Sequence, residues 1–174
     1  MIKISGTIIT FNEEQNIERC IKSMLKVCDE IIVVDSYSTD NTKKNCLKYP
    51  VEFIENKFAG HIEQKNFAVK QANHSFILSL DADEELTETL QEQIIQFKQA
   101  PDATALSFNR LTKYVDRWIK TCDWYPDVKI RVWDKALGKW AGKNPHDFVQ
   151  LNEGATLKHL KGDLLHYSYN SISE

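Results

Sequence analysis

The sequence predicts an α/β fold: a mostly parallel central sheet with helices on both faces, then a smaller region of mixed strands. Short apolar runs at 3–9, 30–34, 51–55 and 76–80 alternate with segments of helical spacing, the pattern of right-handed βαβ units. Polar and acidic residues cluster where those runs stop, and the C-terminal edge of an open α/β sheet is where ligands bind. After Pro101 the pattern changes, because strand-like runs at 105–110, 128–133 and 164–169 have no amphipathic helix between them.

Residues 3–9 form the first strand, and Thr10 to Glu14 form its turn. Asn12 with Gln15 three positions later reads as a capping box, which gives Asn12 a structural role. Ile17, Cys20, Ile21, Met24, Leu25 and Cys28 then fall on one buried helical stripe. The second strand ends at Asp35. The polar turn Ser36, Tyr37, Ser38, Thr39, Asp40, Asn41 offers several caps for a helix reaching Lys48. A third strand follows Pro50, residues 56–60 are loop, and 62–73 read as a helix with Gln64, Lys65 and Asn66 in its first turns.

The fourth run says most about function. Phe76, Ile77, Leu78 and Leu80 suit a strand buried on both faces, and Asp81, Asp83, Glu84 and Glu85 follow at its edge. Asp81 and Asp83, two apart on extended chain, project to one side. Carboxylates so placed can share one Mg2+ or Mn2+ with waters and substrate phosphates. An acidic start to the helix over 87–99 accounts for the same residues, so the stretch alone leaves both readings open. Within that helix Leu90, Ile94 and Phe97 face inward.

A chain of 174 residues suits one domain, 1–174, with halves at 1–100 and 101–174 and no linker between them. A net charge of −3 gives no electrostatic footprint for nucleic acid. The start MIKISGTIIT reads as a strand and not as a leader, and no run approaches the ~18 apolar residues of a membrane span. The expected location is therefore the cytoplasm. Cys20, Cys28, Cys46 and Cys122 lack zinc-type pairing and read as reduced thiols.

All four tryptophans, Trp118, Trp124, Trp133 and Trp140, lie in the second half. With Tyr114, Tyr125 and His146 they suggest an apolar platform for a flat ligand such as a sugar ring, although core packing accounts for any one of them. His61, His74 and His159 show nothing beyond surface or loop placement.

Thr10, Asn12 and Glu13 after the first strand, Asp35, Ser36, Ser38, Thr39 and Asp40 after the second, and Asp81 to Glu84 after the fourth resemble one known pattern. It is the nucleotide-sugar half of family 2 glycosyltransferases, which have the Rossmann-like GT-A fold. Trp124 to Asp127, Arg131 to Lys135, the pair His146 and Asp147, and Leu164 to Tyr167 resemble a narrower branch, the bacterial lipopolysaccharide core glycosyltransferases.

The resemblance implies roles. Thr10, Asn12, Glu13, Asp35, Ser38 and Asp40 would line the pocket for the uridine and ribose of a UDP-sugar, with Asp35 accepting a hydrogen bond from the base. Lys65 would approach the nucleotide or its phosphates, and Asp81 would face the ribose. Asp83 would ligate Mn2+ or Mg2+, with His166 near the ion or the diphosphate. Asp147 would be the general base and His146 would orient it, while Trp124, Tyr125 and Arg131 would serve the acceptor. Plainer roles stand beside these: caps for Asp35 and Asp40, a solvated helix face for Lys65, a core histidine for His166, and a turn acid after Asn144 and Pro145 for Asp147.

Two features depart from the family pattern. Tyr37 stands where members usually carry a small residue, often glycine, so a differently shaped turn is expected. Members of the branch also continue for several tens of residues past the position of Tyr169, whereas this sequence stops at Ile172, Ser173, Glu174, so it is expected to be either short or C-terminally truncated, with acceptor or membrane contacts then missing.

The expected function is inverting, metal-dependent transfer of a sugar from a UDP-sugar donor to a glycan or lipid-linked saccharide acceptor, in lipopolysaccharide or other cell-surface polysaccharide biosynthesis. A cation would relieve charge on the departing diphosphate, and a carboxylate would take the acceptor proton. A single in-line displacement would invert the anomeric centre. Two other classes stay open: a non-catalytic nucleotide-sugar or glycan-binding module, and a metal-dependent phosphatase or nucleotidyltransferase. The last generally has a Gly-rich phosphate loop after the first strand, and Thr10 to Glu14 contain no glycine. Peripheral association with the inner face of the cytoplasmic membrane is left open, and neither the sugar, the acceptor nor the oligomeric state is legible.

Overall fold

The computed structural model of the chain describes residues 1–169. Strands β1 (Ile4–Thr10), β2 (Glu30–Asp35), β3 (Glu52–Glu55) and β4 (Phe76–Asp81) are parallel and lie in the order β3-β2-β1-β4. Register sets Thr10 opposite Asp35 and Ile9 opposite Asp81. Three strand ends therefore stop level, and their polar residues share one edge of the sheet.

Helices cover both faces. On one, α1 (Ile17–Met24) and α4 (Glu88–Gln99) bury Ile17, Cys20, Ile21, Met24, Leu90, Ile94 and Phe97 against Ile4, Ile8 and Leu78. Each such aliphatic side chain contributes about 1.5–3 kcal/mol relative to exposure. Helix α1 ends at Met24 and Leu25 is 38% exposed, whereas Cys28 beyond it still packs on this core. Gly6 lets α1 approach, because a Cβ there would stand 2.7 Å from Met24 Cε and 2.9 Å from Cys28 Sγ. On the other face, α3 (His61–Gln71) packs Ala68 and Val69 against Ile32, Val34 and Ile77. The short helix α2 (Thr42–Cys46) stops before Lys48. Among the described residues no helix is long and apolar enough to cross a membrane.

The later strands extend the same sheet. Strands β5 (Glu84–Leu86), β6 (Ala105–Tyr114), β8 (Asp127–Asp134) and β11 (Leu157–Tyr169) continue it in the order β4-β8-β6-β11-β5, with β7 (Arg117–Trp118) on β6. β8 is antiparallel to β4 and β6, β11 is parallel to β6, and β5 is antiparallel to β11. Strands β9 (Gly138–Lys143) and β10 (His146–Leu151) form a separate hairpin. Its Trp140 and Val149 join the core under α3.

Several expectations are corrected here. Asn12 caps no helix: α1 begins at Ile17, and Asn12, at φ +54°, accepts a hydrogen bond from Thr39 N–H at 2.8 Å. Glu84 and Glu85 do not open a helix. They belong to β5, where period-two alternation buries Glu84 and Leu86 together. Asp81 and Asp83 are not two apart on extended chain, because the chain turns at 82–83 between β4 and β5, yet both line one cavity.

The aromatic platform divides. Trp133 and Trp140 are core residues at 0% and 2% exposure, edge to face at 5.9 Å. Trp118 packs on Tyr167, and Trp124 on Tyr114. Cys20, Cys28 and Cys46 are free thiols, as expected; the side chain of Cys122 lies outside the described residues.

Candidate active site

The level ends of β1 and β4, the start of α3, the β9–β10 hairpin and the end of β11 enclose a cavity of about 980 Å³. Thr10, Glu13, Lys65, Asp81, Asp83, His146, Asp147 and His166 all line it. Asp83 and Asp147 thus meet in one cleft, although they come from different halves of the chain.

Asp83 and His166 form the open end of the constellation. Their Oδ2 and Nε2 stand 3.1 Å apart, with side chains 21% and 14% exposed. β11 delivers His166 by pairing it with Glu84 on one side and Thr112 on the other. Its second nitrogen, Nδ1, hydrogen-bonds Thr112 Oγ1 at 3.3 Å, and Tyr167 N–H donates to the Asp83 carbonyl at 2.9 Å. Adjacent positions around an octahedral ion with ~2.1 Å bonds are ~3.0 Å apart, so this carboxylate and imidazole fit two sites on one Mn2+ or Mg2+. Among the described residues no group of three or more His, Cys, Asp or Glu could hold an ion, so other ligands would be waters and substrate oxygens.

Beneath this pair lies a ladder of buried charge. Lys65, 4% exposed, sets Nζ 2.8 Å from Asp81 Oδ1 and 2.7 Å from Asp147 Oδ2. Arg131, 3% exposed, reaches Asp81 Oδ2 at 3.0 Å and also Glu84. Burial alone would raise the pKa of Asp81, but Lys65 and Arg131 outweigh it and hold the carboxyl well below the usual range. Glu13 is the opposite case: burial pushes its carboxyl up, only partly countered by the Asn16 amide, and Asp83 and Asp40 push the same way.

Other predicted residues do not line the cavity. Both oxygens of Asp35 take hydrogen bonds from Ser38, whose hydroxyl also accepts from Asn12 N–H. Asp40 accepts from Thr42 and from Glu14 N–H. Burial works against its charge, yet these bonds hold its carboxyl below the ordinary value. Asn12, Asp35, Ser38 and Asp40 thus tie the β1 and β2 turns together behind the cavity rim. Tyr125 donates its hydroxyl to Asp163, and Trp124 is 43% exposed.

Arg131, expected to serve the acceptor, is a buried counter-ion of Glu84 and Asp81 on β8 beside β4, and it also lines a smaller cavity next to this one. His61, read as bland, lines the cavity with Phe58, the rings edge to face at 5.1 Å. Phe11, Arg110 and Ser168 also line it, and no motif marked them. Arg110 hydrogen-bonds Asp127 through Nε at 3.0 Å. A smaller cavity of about 490 Å³ adjoins, sharing Lys65, Arg110 and Asp147 and adding Lys129 and Arg131.

The family described as "Glycosyl transferase family 2" matches residues 5–154, nearly the whole described chain. The chain belongs to glycosyltransferase family 2. An uncharacterized glycosyltransferase of Rickettsia typhi is 33% identical over 192 aligned positions, which cover 100% of this chain and 63% of that protein. The lipopolysaccharide core biosynthesis glycosyltransferase LpsC of Rhizobium meliloti is 36% identical over 106 positions, 58% of this chain and 39% of that protein. The crystal structure of Staphylococcus aureus TarS 1–349 in complex with UDP-GlcNAc superposes with a TM-score of 0.62 at 18% identity, covering 92% of this chain and 59% of that one. At that identity the likeness concerns the fold, which is GT-A. The chain spans between 18% and 63% of the length of these curated relatives.

Proposed function

We propose that this family 2 glycosyltransferase chain performs divalent-cation-dependent, inverting transfer of a sugar from a UDP-sugar to a glycan or lipid-linked saccharide of a cell-surface polysaccharide. One observation carries the reading: Asp83 with His166, and Asp147 opposite them, line a single cavity. LpsC, named for lipopolysaccharide core biosynthesis, and TarS, solved with UDP-GlcNAc, support the acceptor class and the donor class. Residues 1–100 supply the donor side and 101–174 the acceptor side, with the smaller cavity as the acceptor's approach.

Asp83 and His166 would hold Mn2+ or Mg2+, which relieves negative charge on the leaving diphosphate. Asp147 takes the proton of the acceptor hydroxyl as its oxygen bonds the anomeric carbon and the bond from that carbon to the diphosphate breaks. His146, exposed at the start of β10, flanks the base at the cavity mouth.

The test measures UDP released from UDP-sugars, with and without acceptor and Mn2+. Asp83→Ala is expected to abolish cation-dependent turnover while the fold persists; full activity refutes the metal assignment. Asp147→Asn is expected to bind UDP normally and to lose transfer by roughly 100- to 10,000-fold. UDP binding without turnover, across a broad acceptor panel, would favour the binding-module reading.

A further inference from the structure

We propose that Lys65 is the positioning residue for Asp147, its buried ammonium fixing one carboxylate oxygen against Asp81 so that the other is presented to the acceptor hydroxyl. The inference rests on the reading of Asp147 as base and moves Lys65 away from the nucleotide role its sequence context implies. A phosphate-binding lysine needs a free ammonium facing the ligand. Lys65 instead has two carboxylates within 2.8 Å and the face of Trp140 at 4.2 Å from Nζ. Among the described residues Lys65 is the sole hydrogen-bond partner of the Asp147 side chain.

The surroundings show why this ammonium sets geometry. The first turns of α3 grip the β9–β10 hairpin at three points. Ile62 N–H donates to Asn144 Oδ1 at 3.0 Å, with Asn144 Nδ2 returning to Glu63 at 2.9 Å. Asn66 makes a reciprocal pair with the main chain of Trp140, donating at 2.9 Å and accepting at 3.2 Å. Lys65 lies between these two and is the one of the three that also reaches the central sheet, through Asp81 at the end of β4. It thereby sets the distance between the donor edge and the strand that carries the base. Without its charge, Asp81 and Asp147 would face each other as like charges. A base oriented by a third group is a general arrangement in catalysis, and orientation errors of about 1 Å cost about 100-fold in rate.

The experiment compares the full chain with Lys65→Met and Lys65→Arg, reading the Kd of UDP with Mn2+ by calorimetry and kcat and KM for transfer. Lys65→Met is expected to leave the UDP Kd and donor KM within about threefold while kcat falls about 100-fold. Lys65→Arg keeps the buried charge and is expected to recover about tenfold over the methionine variant. A UDP Kd weakened tenfold or more in either variant overturns the proposal and returns Lys65 to the diphosphate. Should Lys65→Met not fold, the arginine variant decides by the same Kd. If Asp147→Asn transfers at the wild-type rate, the base assignment fails; if that variant is inactive but Lys65→Met is not, the positioning role alone fails.

Discussion

His166 brings Nε2 to 3.1 Å from Asp83 Oδ2, and Thr112 hydrogen-bonds the opposite ring nitrogen at 3.3 Å. The ring is therefore fixed in orientation before any ion arrives. Outer partners of this kind typically change metal affinity by about 10- to 100-fold when removed. Thr112→Val is expected to weaken Mn2+ binding by about tenfold, and His166→Ala by more, with little change in thermal stability. Mn2+ titration followed by calorimetry checks the order, and equal affinities in all three proteins would remove His166 from the ion.

Arg131 makes a different prediction because it is internal. Its guanidinium neutralises Glu84, which is 0% exposed, and shares Asp81 with Lys65. Removing one partner of a buried pair leaves an uncompensated charge and costs about 3–5 kcal/mol. Arg131→Met should therefore lower stability by about that amount, read by urea denaturation, with the loss present whether or not acceptor is added. A variant of unchanged stability whose acceptor KM alone rises would restore the acceptor role.

How far the sequence carries can be traced through these same residues. β1 to β4 were legible because each is an apolar run ending in polar residues, and hydrophobic burial dictates that pattern locally. Asp83 stood out as an acid at a strand edge, whereas Asp147 was marked only by the family resemblance, its local sequence after Asn144 and Pro145 suiting a turn acid equally well. The role of Arg131 was not legible, since Glu84 and Asp81 lie about 50 positions away and only the β4–β8 pairing brings them together. Strand β5 was hidden because Glu84 and Glu85 suit a helix start, and pairing with β11 overrides that preference. Phe58, His61 and Arg110 carry no motif; the cavity acquires them from tertiary placement.

Tyr37 has a left-handed backbone, a conformation that glycine adopts without strain. Its φ is +62° and its side chain is 56% exposed, so a bulky residue sits in the left-handed region of the turn after β2. A non-glycine residue there is strained by about 1–2 kcal/mol, partly offset by the greater freedom glycine has when unfolded. Tyr37→Gly is expected to stabilise the protein by about 0.5–1 kcal/mol in urea denaturation. Destabilisation would show that the exposed ring makes contacts worth more than the strain.

Acid should unfold the protein from a definite side. Burial raises Asp81, Asp29, Glu30 and Asp127, but their partners more than reverse it: Lys65 and Arg131 at Asp81, Lys98 and Ile4 N–H at Asp29, Ser5 and Asn73 at Glu30, and Lys129 and Arg110 at Asp127. All four are lowered from their ordinary values, so near and below about pH 4 the unfolded chain binds more protons than the native one. Their stabilisation is complete above that range and is lost as pH falls through the lowered values. Glu13, raised by burial, works in the opposite sense, but it is outnumbered by these carboxyls and by Asp40, which is lowered too. The melting temperature is therefore expected to stay nearly level from about pH 7 to 5 and to drop below about pH 4. Arg131→Met should make that drop smaller, because Asp81 then loses one of the two cations that hold its carboxyl down and has less stabilisation to lose. A drop of unchanged size would mean that Lys65 alone keeps Asp81 ionised.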